Sequence, residues 1–207
     1  MRIKKSRELT TVNNVNDIVC RNDVVIVKPI REEETNGILI PASMQEVGQK
    51  GIVCRVGPGI DDNKVEVEEG DKILYVKFAG SEISIEGEKF IVMKQEDILG
   101  YYNGDREIDI VPLENRVLLE WEFGRDEYIG TKILRSEGAS KERYYTGNVI
   151  AVGPLVNEDI QPEKRVFFNQ FCGPERIDFE GKRYAFIYDF DAYCILPLRK
   201  DITVLSH

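Results

Sequence analysis

The 207-residue chain is short of the residues that usually mark a reactive site: it has one histidine, His207 at its last position, one tryptophan, and four cysteines with no C-x-x-C pair. Cys20, Cys54, Cys172 and Cys194 are too scattered to suggest a zinc site or a dithiol redox motif, and they are expected to be buried, reduced thiols. No apolar run reaches the eighteen or so residues of a membrane helix, and Met1-Arg-Ile-Lys-Lys-Ser-Arg-Glu8 has no apolar stretch behind its basic residues. Neither a membrane span nor a secretory signal is expected, and the cytoplasm is the expected compartment. Basic charge is scarce as well. With 28 Lys and Arg against 37 Asp and Glu, the net charge of -9 argues against nucleic acid as a partner, because phosphate binding draws on excess cationic charge.

What is present is a repeat. Gly51-Ile-Val-Cys-Arg-Val-Gly57-Pro58 returns as Gly147-Asn-Val-Ile-Ala-Val-Gly153-Pro154, Phe78-Ala-Gly80-Ser-Glu82 as Phe171-Cys-Gly173-Pro-Glu175, and Ile83-Ser-Ile85-Glu-Gly87 as Ile177-Asp-Phe179-Glu-Gly181. The offset is 96 at Gly51 and Gly147 and 94 at Gly87 and Gly181, so the copies have drifted by a few loop residues. Two related modules in one chain follow from this more firmly than from length.

The fold class is all-β. Val24–Val27, Gly51–Val56, Asp71–Val76, Ile83–Ile85 and Lys89–Met93 are short β-branched or aromatic runs bounded by Gly, Pro, Asp and Asn, the pattern of a small barrel or sandwich. Glu86-Gly87-Glu88 and Glu180-Gly181-Lys182 are expected to be tight hairpin turns. No stretch of ten or more residues carries convincing helical spacing. Modules of about ninety residues bury only a modest core, and short open sheets leave edges that invite strand addition, so self-association would help both.

One segment does not read as a packed core. Between Pro29 and Gly51 a long polar loop carries a lone aliphatic triplet, Ile38-Leu39-Ile40, flanked by Gly37 and Pro41. Long loops in compact domains are usually functional or disordered. The plainer reading makes the triplet an ordinary strand covering one side of the barrel.

The residues Asn22-Asp23-Val-Val-Ile-Val-Lys28-Pro29, Gly37-Ile-Leu-Ile-Pro41, Gly51–Gly59, Glu69-Gly70-Asp71, Tyr75–Glu82 and Glu96-Asp97-Ile98-Leu99, in that order, resemble the GroES-type co-chaperonins, or chaperonin-10 family. The second copy resembles it more weakly, so the chain looks like a tandem, double-domain member of the sort best known from plastids. The resemblance implies two tandem GroES-like β-barrels and a ring that caps a GroEL-type chaperonin while a client protein folds. It also implies that the loop orders on binding and that Gly37, Ile38, Leu39 and Ile40 bind the chaperonin. Ile133 and Leu134 are the corresponding candidates in the second loop, where Arg135 replaces the third aliphatic and weaker binding is expected. The acidic segment between Gly59 and Gly70 resembles the hairpin that roofs the family's dome.

The implied organisation is a flexible segment 1–16, a first barrel 17–102, a linker 103–108, a diverged second barrel 109–198 and a tail 199–207. In the family, the last strand of one subunit pairs with the first strand of its neighbour, and a short linker fits two adjacent ring positions. Chaperonin rings of the bacterial type are seven-fold, which two barrels per chain cannot fill evenly; single-domain co-chaperonins are therefore candidate partners beside further copies of the chain.

No catalytic residue or metal site is expected, and the protein is expected not to be an enzyme. Gly57-Pro58-Gly59 continues as Ile60-Asp-Asp and lacks the third glycine of a dinucleotide fingerprint. A Ser-His-Asp set is implausible with its only histidine at the chain end. No cofactor is expected either; nucleotide would bind the chaperonin partner, since the chain has no phosphate-loop motif. The alternative function is a non-catalytic structural or adaptor protein, for instance virus-encoded, that keeps the barrel without binding chaperonin. The alternative compartment is the plastid.

Overall fold

The computed structural model describes residues 14–30, 34–35, 38–39, 49–61, 64–104, 106, 109–121 and 144–196. The chain divides into two compact units, Met1–Ile98 and Leu99–His207. In the first, a 3-10 turn over Val15–Asp17, capped by the Asn14 side chain, leads into β1 (Val24–Pro29). The short β2 (Glu34–Thr35) and β3 (Ile38–Leu39) follow, then β4 (Lys50–Val56), β5 (Lys72–Tyr75), β6 (Ser81–Ile85) and β7 (Glu88–Lys94). Antiparallel pairing orders five of them as β6-β7-β1-β4-β5, while β2 and β3 form a two-stranded sheet of their own.

The division falls one residue into β8 (Ile98–Tyr102), so nearly all of that strand groups with the second unit. After it come β9 (Ile110–Pro112), β10 (Arg116–Trp121), β11 (Tyr144–Val152), β12 (Arg165–Asn169), β13 (Glu175–Phe179), β14 (Lys182–Tyr188) and β15 (Ala192–Leu196). Their main sheet runs β13-β14-β10-β11-β12-β15. Its first five strands repeat the connectivity of the first unit strand for strand, and two tandem barrels of one fold result.

The repetition extends to irregularities. The β1–β4 register shifts between Ile26 and Val27 and leaves Cys54 as the extra residue; the β10–β11 register shifts between Leu118 and Leu119 and leaves Ile150. Such bulges bend a strand and increase its twist, which a small barrel needs in order to curl. Both expected hairpin turns occur, with positive φ at both central residues: 52° and 85° at Glu86 and Gly87, 48° and 77° at Glu180 and Gly181. That combination gives the mirror-image turn whose twist matches the strands. Gly57 and Gly153 are conserved between the copies for want of space, since a Cβ on either would run into the carbonyl oxygen of Asn22 or Glu114.

Each barrel has its own apolar interior. In the second, Val117, Leu119, Val166, Phe168 and Ala185 are wholly buried in one cluster that Trp121 joins. In the first, Cys20, Ile26, Ile85 and Phe90 form a cluster against which Val15 and Cys54 pack. Burial of each large side chain is worth about 1.5–3 kcal/mol. All four cysteines are free thiols, but of the four expected to be buried only Cys20 is; Cys54 and Cys172 are half-buried at the margins of their cores, and Cys194 is exposed on β15, the edge strand of its sheet.

Candidate functional site

Of the residues expected to bind a partner, Ile38 and Leu39 have a described backbone; Gly37, Ile40, Ile133 and Leu134 lie outside the described residues. Ile38 and Leu39 are β3, and they pair antiparallel with β2 in the register Glu34↔Leu39 and Thr35↔Ile38. The residues between, Asn36-Gly37, are the dipeptide most favoured in two-residue hairpins. The pair therefore belongs to a small ribbon of its own, not to the barrel sheet as the plainer sequence reading had it. The loop's stems are joined where Ile30 N–H donates to the Lys50 carbonyl at 2.9 Å.

The two loop bases differ in chemistry. Strand register makes Pro29, Gln49 and Tyr75 of the first copy equivalent to Trp121, Tyr145 and Phe168 of the second. In the second copy the three rings pack together: Trp121 meets Tyr145 edge to face at 4.6 Å and Phe168 at 5.7 Å, and the Arg176 guanidinium sits 5.0 Å from the Trp121 ring. In the first, the Tyr75 hydroxyl and the Gln49 Nε2 are buried without a hydrogen-bond partner, although the Tyr75 N–H donates to the Gln49 carbonyl at 2.9 Å. Burial pushes the Tyr75 hydroxyl up to about 12.

A second surface arises where the copies join in sequence. β8, the last strand of the first copy, pairs with β9, the first strand of the second, in the register Gly100↔Pro112, Tyr101↔Val111 and Tyr102↔Ile110. Leu113 N–H extends the ladder by donating to the Leu99 carbonyl at 3.1 Å, and Tyr102 meets Phe179 edge to face at 5.1 Å. Leu99 and Tyr102 are buried there. Among the described residues, the last strand of the second copy, β15, has no such cover: it pairs only on its β12 side, and Tyr193 and Ile195 are 57% and 42% exposed. A groove of about 430 Å³ runs beside it, with Asp159, Asp189, Phe190 and Tyr193 among its walls.

Sequence reasoning passed over a third feature. Phe78 and Phe171 occupy one repeat position and are 91% and 73% exposed. Phe78 takes a φ of 67°, unusual for a bulky side chain, with the Lys77 ammonium 5.2 Å from its ring. The signal was the match of Phe78-Ala-Gly80 to Phe171-Cys-Gly173. On the acidic segment after Gly59, Ile60 is 46% exposed, and Leu155 on its shorter counterpart is 68% exposed. Among the described residues, no group of three or more His, Cys, Asp or Glu could hold a metal ion, and no helix is long and apolar enough to cross a membrane.

Comparison with known proteins agrees with this geometry. The sequence model of the family described as Chaperonin 10 Kd subunit matches twice, over residues 17–102 and 109–196. The 20 kDa chloroplastic chaperonin of Spinacia oleracea is 28% identical over 188 residues, covering 84% of this chain and 73% of the spinach protein. That of Arabidopsis thaliana is 29% identical over 185 residues, covering 84% and 72%. The co-chaperonin GroES of Rickettsia canadensis is 45% identical over 89 residues, 40% of this chain and 94% of the bacterial protein.

Proposed function

Since the chain belongs to the chaperonin 10 kDa subunit family and carries its domain twice, it is a co-chaperonin that works with a chaperonin of the GroEL type, and we propose how it does so. Copies of the chain join head to tail into a ring, the ring caps the chaperonin, and the aliphatic residues Ile38, Leu39 and Ile40 make the contact. Ile133 and Leu134 of the second loop add a weaker contact. The protein itself catalyses nothing and binds no cofactor; nucleotide is bound and turned over by its partner.

The observation that carries the ring is the β8–β9 pairing beside the open edge of β15. Asp109-Ile110-Val111 leads into and begins to form β9, and the same triplet stands at Asp17-Ile18-Val19 ahead of β1, where Val19 is 81% exposed. Within the chain the second copy's triplet covers the first copy's last strand. Between chains, the first copy's triplet would cover β15 in the same way. Val19 and Ile195 would then leave water together, as apolar edges on small barrels tend to do.

Capping needs many loops at once. Three aliphatic side chains yield roughly 5–9 kcal/mol on burial, and ordering a loop of a dozen residues costs on the order of 1 kcal/mol or more apiece. One loop alone binds poorly, while several on a rigid ring bind by avidity and still release. Nothing found favours the adaptor reading. For the compartment, the cytoplasm expected from the sequence stands beside the plastid, which the two chloroplastic relatives support.

Native mass spectrometry of the full chain, alone and with a seven-fold chaperonin plus nucleotide, tests the proposal. A discrete oligomer that joins the chaperonin is expected, and its chain count also says whether single-domain co-chaperonins complete the ring. A chain that stays monomeric and never associates would overturn it.

A further inference from the structure

We propose that the groove beside β15 is a guanidinium-binding site whose occupant is Arg21 of a second copy of this chain. The inference rests on the head-to-tail assembly above and adds to it the chemistry that distinguishes the joint between chains from the joint within one.

The walls of the groove suit a planar cation. The buried Arg116 guanidinium lies 5.2 Å from the Tyr188 ring, and Tyr188 stacks on Phe190 at 5.1 Å with only 8° between the planes. Phe190 is 68% exposed, so the stack ends in an aromatic surface open to solvent. Asp189 is fixed beside it, accepting from Phe190 N–H at 2.7 Å and from Asn115 Nδ2 at 3.3 Å. The exposed Asp159 and Tyr193 complete the site. Carboxylates and an aromatic face together favour arginine, whose flat guanidinium can stack and donate charge-assisted hydrogen bonds at once.

The first copy lacks this chemistry. Gln95, Glu96 and Leu99 stand where the second copy has Asp189, Phe190 and Tyr193, and a Lys94–Glu96 ion pair of 3.2 Å replaces the Tyr188–Phe190 stack. The occupants differ to match. Three pairs of equivalent hydrogen bonds fix the alignment of the entry segments: Gly57 to Val24 and Gly153 to Arg116, Gly59 to Asn22 and Leu155 to Glu114, Gln95 to Asp23 and Asp189 to Asn115. Arg21 is therefore the counterpart of Leu113. Leu113, 1% exposed, is the residue whose N–H bonds to the Leu99 carbonyl inside the chain. The same pairing between chains brings the Arg21 N–H to the carbonyl of Tyr193 and its exposed side chain to the groove.

The backbone cannot repeat that joint atom for atom. A Cβ at Gly100 would meet the Val111 carbonyl oxygen at 2.6 Å, and the second copy has Cys194 at that position. The backbone must shift locally around Cys194, beside the pairing of Arg21 with Tyr193, and the Arg21 side chain adds the recognition that the ladder loses there.

Sedimentation equilibrium and native mass spectrometry of the full-length chain test this. Arg21→Glu is expected to raise the concentration of half-assembly about tenfold or more, the equivalent of one lost cation–π and carboxylate contact. Adding Asp159→Arg to Arg21→Glu is expected to recover assembly to within about threefold, which a merely misfolded Arg21→Glu would not permit. Wild type that assembles while Arg21→Glu assembles equally well would overturn the groove and leave the ring intact. So would Arg21→Glu weakening that Asp159→Arg does not repair. Wild type that never assembles would overturn both readings.

Discussion

The bases of the two long loops are built at equivalent positions from opposite materials. Trp121, Tyr145 and Phe168 close the second with three interlocking rings, whereas Pro29, Gln49 and Tyr75 leave the first with two buried polar atoms that have no partner. A buried unsatisfied polar atom costs about 1–3 kcal/mol, while a well-placed aromatic pair adds about 0.5–1.5 kcal/mol beyond its burial. The better-packed base thus lies on the copy whose loop has Arg135 in place of a third aliphatic, and the complete triplet lies on the copy with the poorer base. The contact proposed for Ile38, Leu39 and Ile40 would fall to the copy with the poorer-packed base, and the tighter packing to the other.

The sharpest way to break that division is to damage each loop in turn. Leu39→Asp puts a charge into every first-copy contact of the ring, and with avidity multiplying the loss we expect chaperonin binding, measured by surface plasmon resonance with nucleotide, to fall about a thousandfold or more. Leu134→Asp should cost no more than about tenfold. Equal losses would mean that both loops share the work and that Arg135 is no handicap.

Next in size is Trp121→Ala. Removing the buried indole from the second loop base should destabilise that barrel by about 3–5 kcal/mol, seen in calorimetry as an early transition, with the first barrel's transition unmoved. A single shifted transition would show that the barrels unfold as one body rather than as the two units into which the chain divides.

The third test uses pH. Burial raises the Tyr75 hydroxyl from its ordinary value near 10 to about 12 in the folded barrel. A group whose folded pKa is raised stabilises the fold fully below the unfolded pKa, and that contribution is lost as pH climbs through the folded one. The first barrel should therefore weaken between about pH 10 and pH 12, and the second, with Phe168 at the same place, should not weaken from this cause. Tyr75→Phe should abolish the difference and, by removing an unpaired hydroxyl, leave the first barrel as stable or more so at neutral pH. An alkaline transition that survives Tyr75→Phe would assign it to other groups.

Much of the architecture was legible in the sequence because it rests on local chemistry. Glu86-Gly87 and Glu180-Gly181 announced their turns through residues that tolerate or require positive φ between alternating runs, and the β-branched runs became β1, β4, β5, β6 and β7 within a residue or two. The repeat carried the rest, since a motif that occurs twice fixes its own boundaries. What stayed hidden depends on contacts between residues far apart in sequence. Tyr75 and Gln49 look like ordinary strand residues until register sets one beside the other, and nothing in Ala192-Tyr-Cys-Ile-Leu196 distinguishes an open edge from a covered one. The groove needed the stack from Arg116 through Tyr188 to Phe190, residues as much as 74 positions apart. The aliphatic triplet was legible as an oddity of pattern, apolar residues inside a polar loop, but only β2 as a partner made Ile38 and Leu39 a ribbon.

The smallest effect we expect lies where the copies agree. Glu86 and Glu180 each hold a φ near 50° at the first central position of their turns, a conformation that costs a residue with a Cβ roughly 1–2 kcal/mol and asparagine less, because its short amide bonds locally to the backbone. Glu86→Asn keeps the following glycine and makes the turn Asn-Gly, the sequence this turn favours most. The first barrel should gain about 0.5–1 kcal/mol, read as a rise of a few degrees in its own transition. The same exchange at Glu180 should move the second barrel by a similar amount, since strand register and φ are alike at both sites. Unequal gains would point to a local difference between the two turns rather than to the shared backbone. Equal gains would mark the hairpin as the part of the ancestral module that duplication left under the same constraint, against which the divergence of the loop bases is measured.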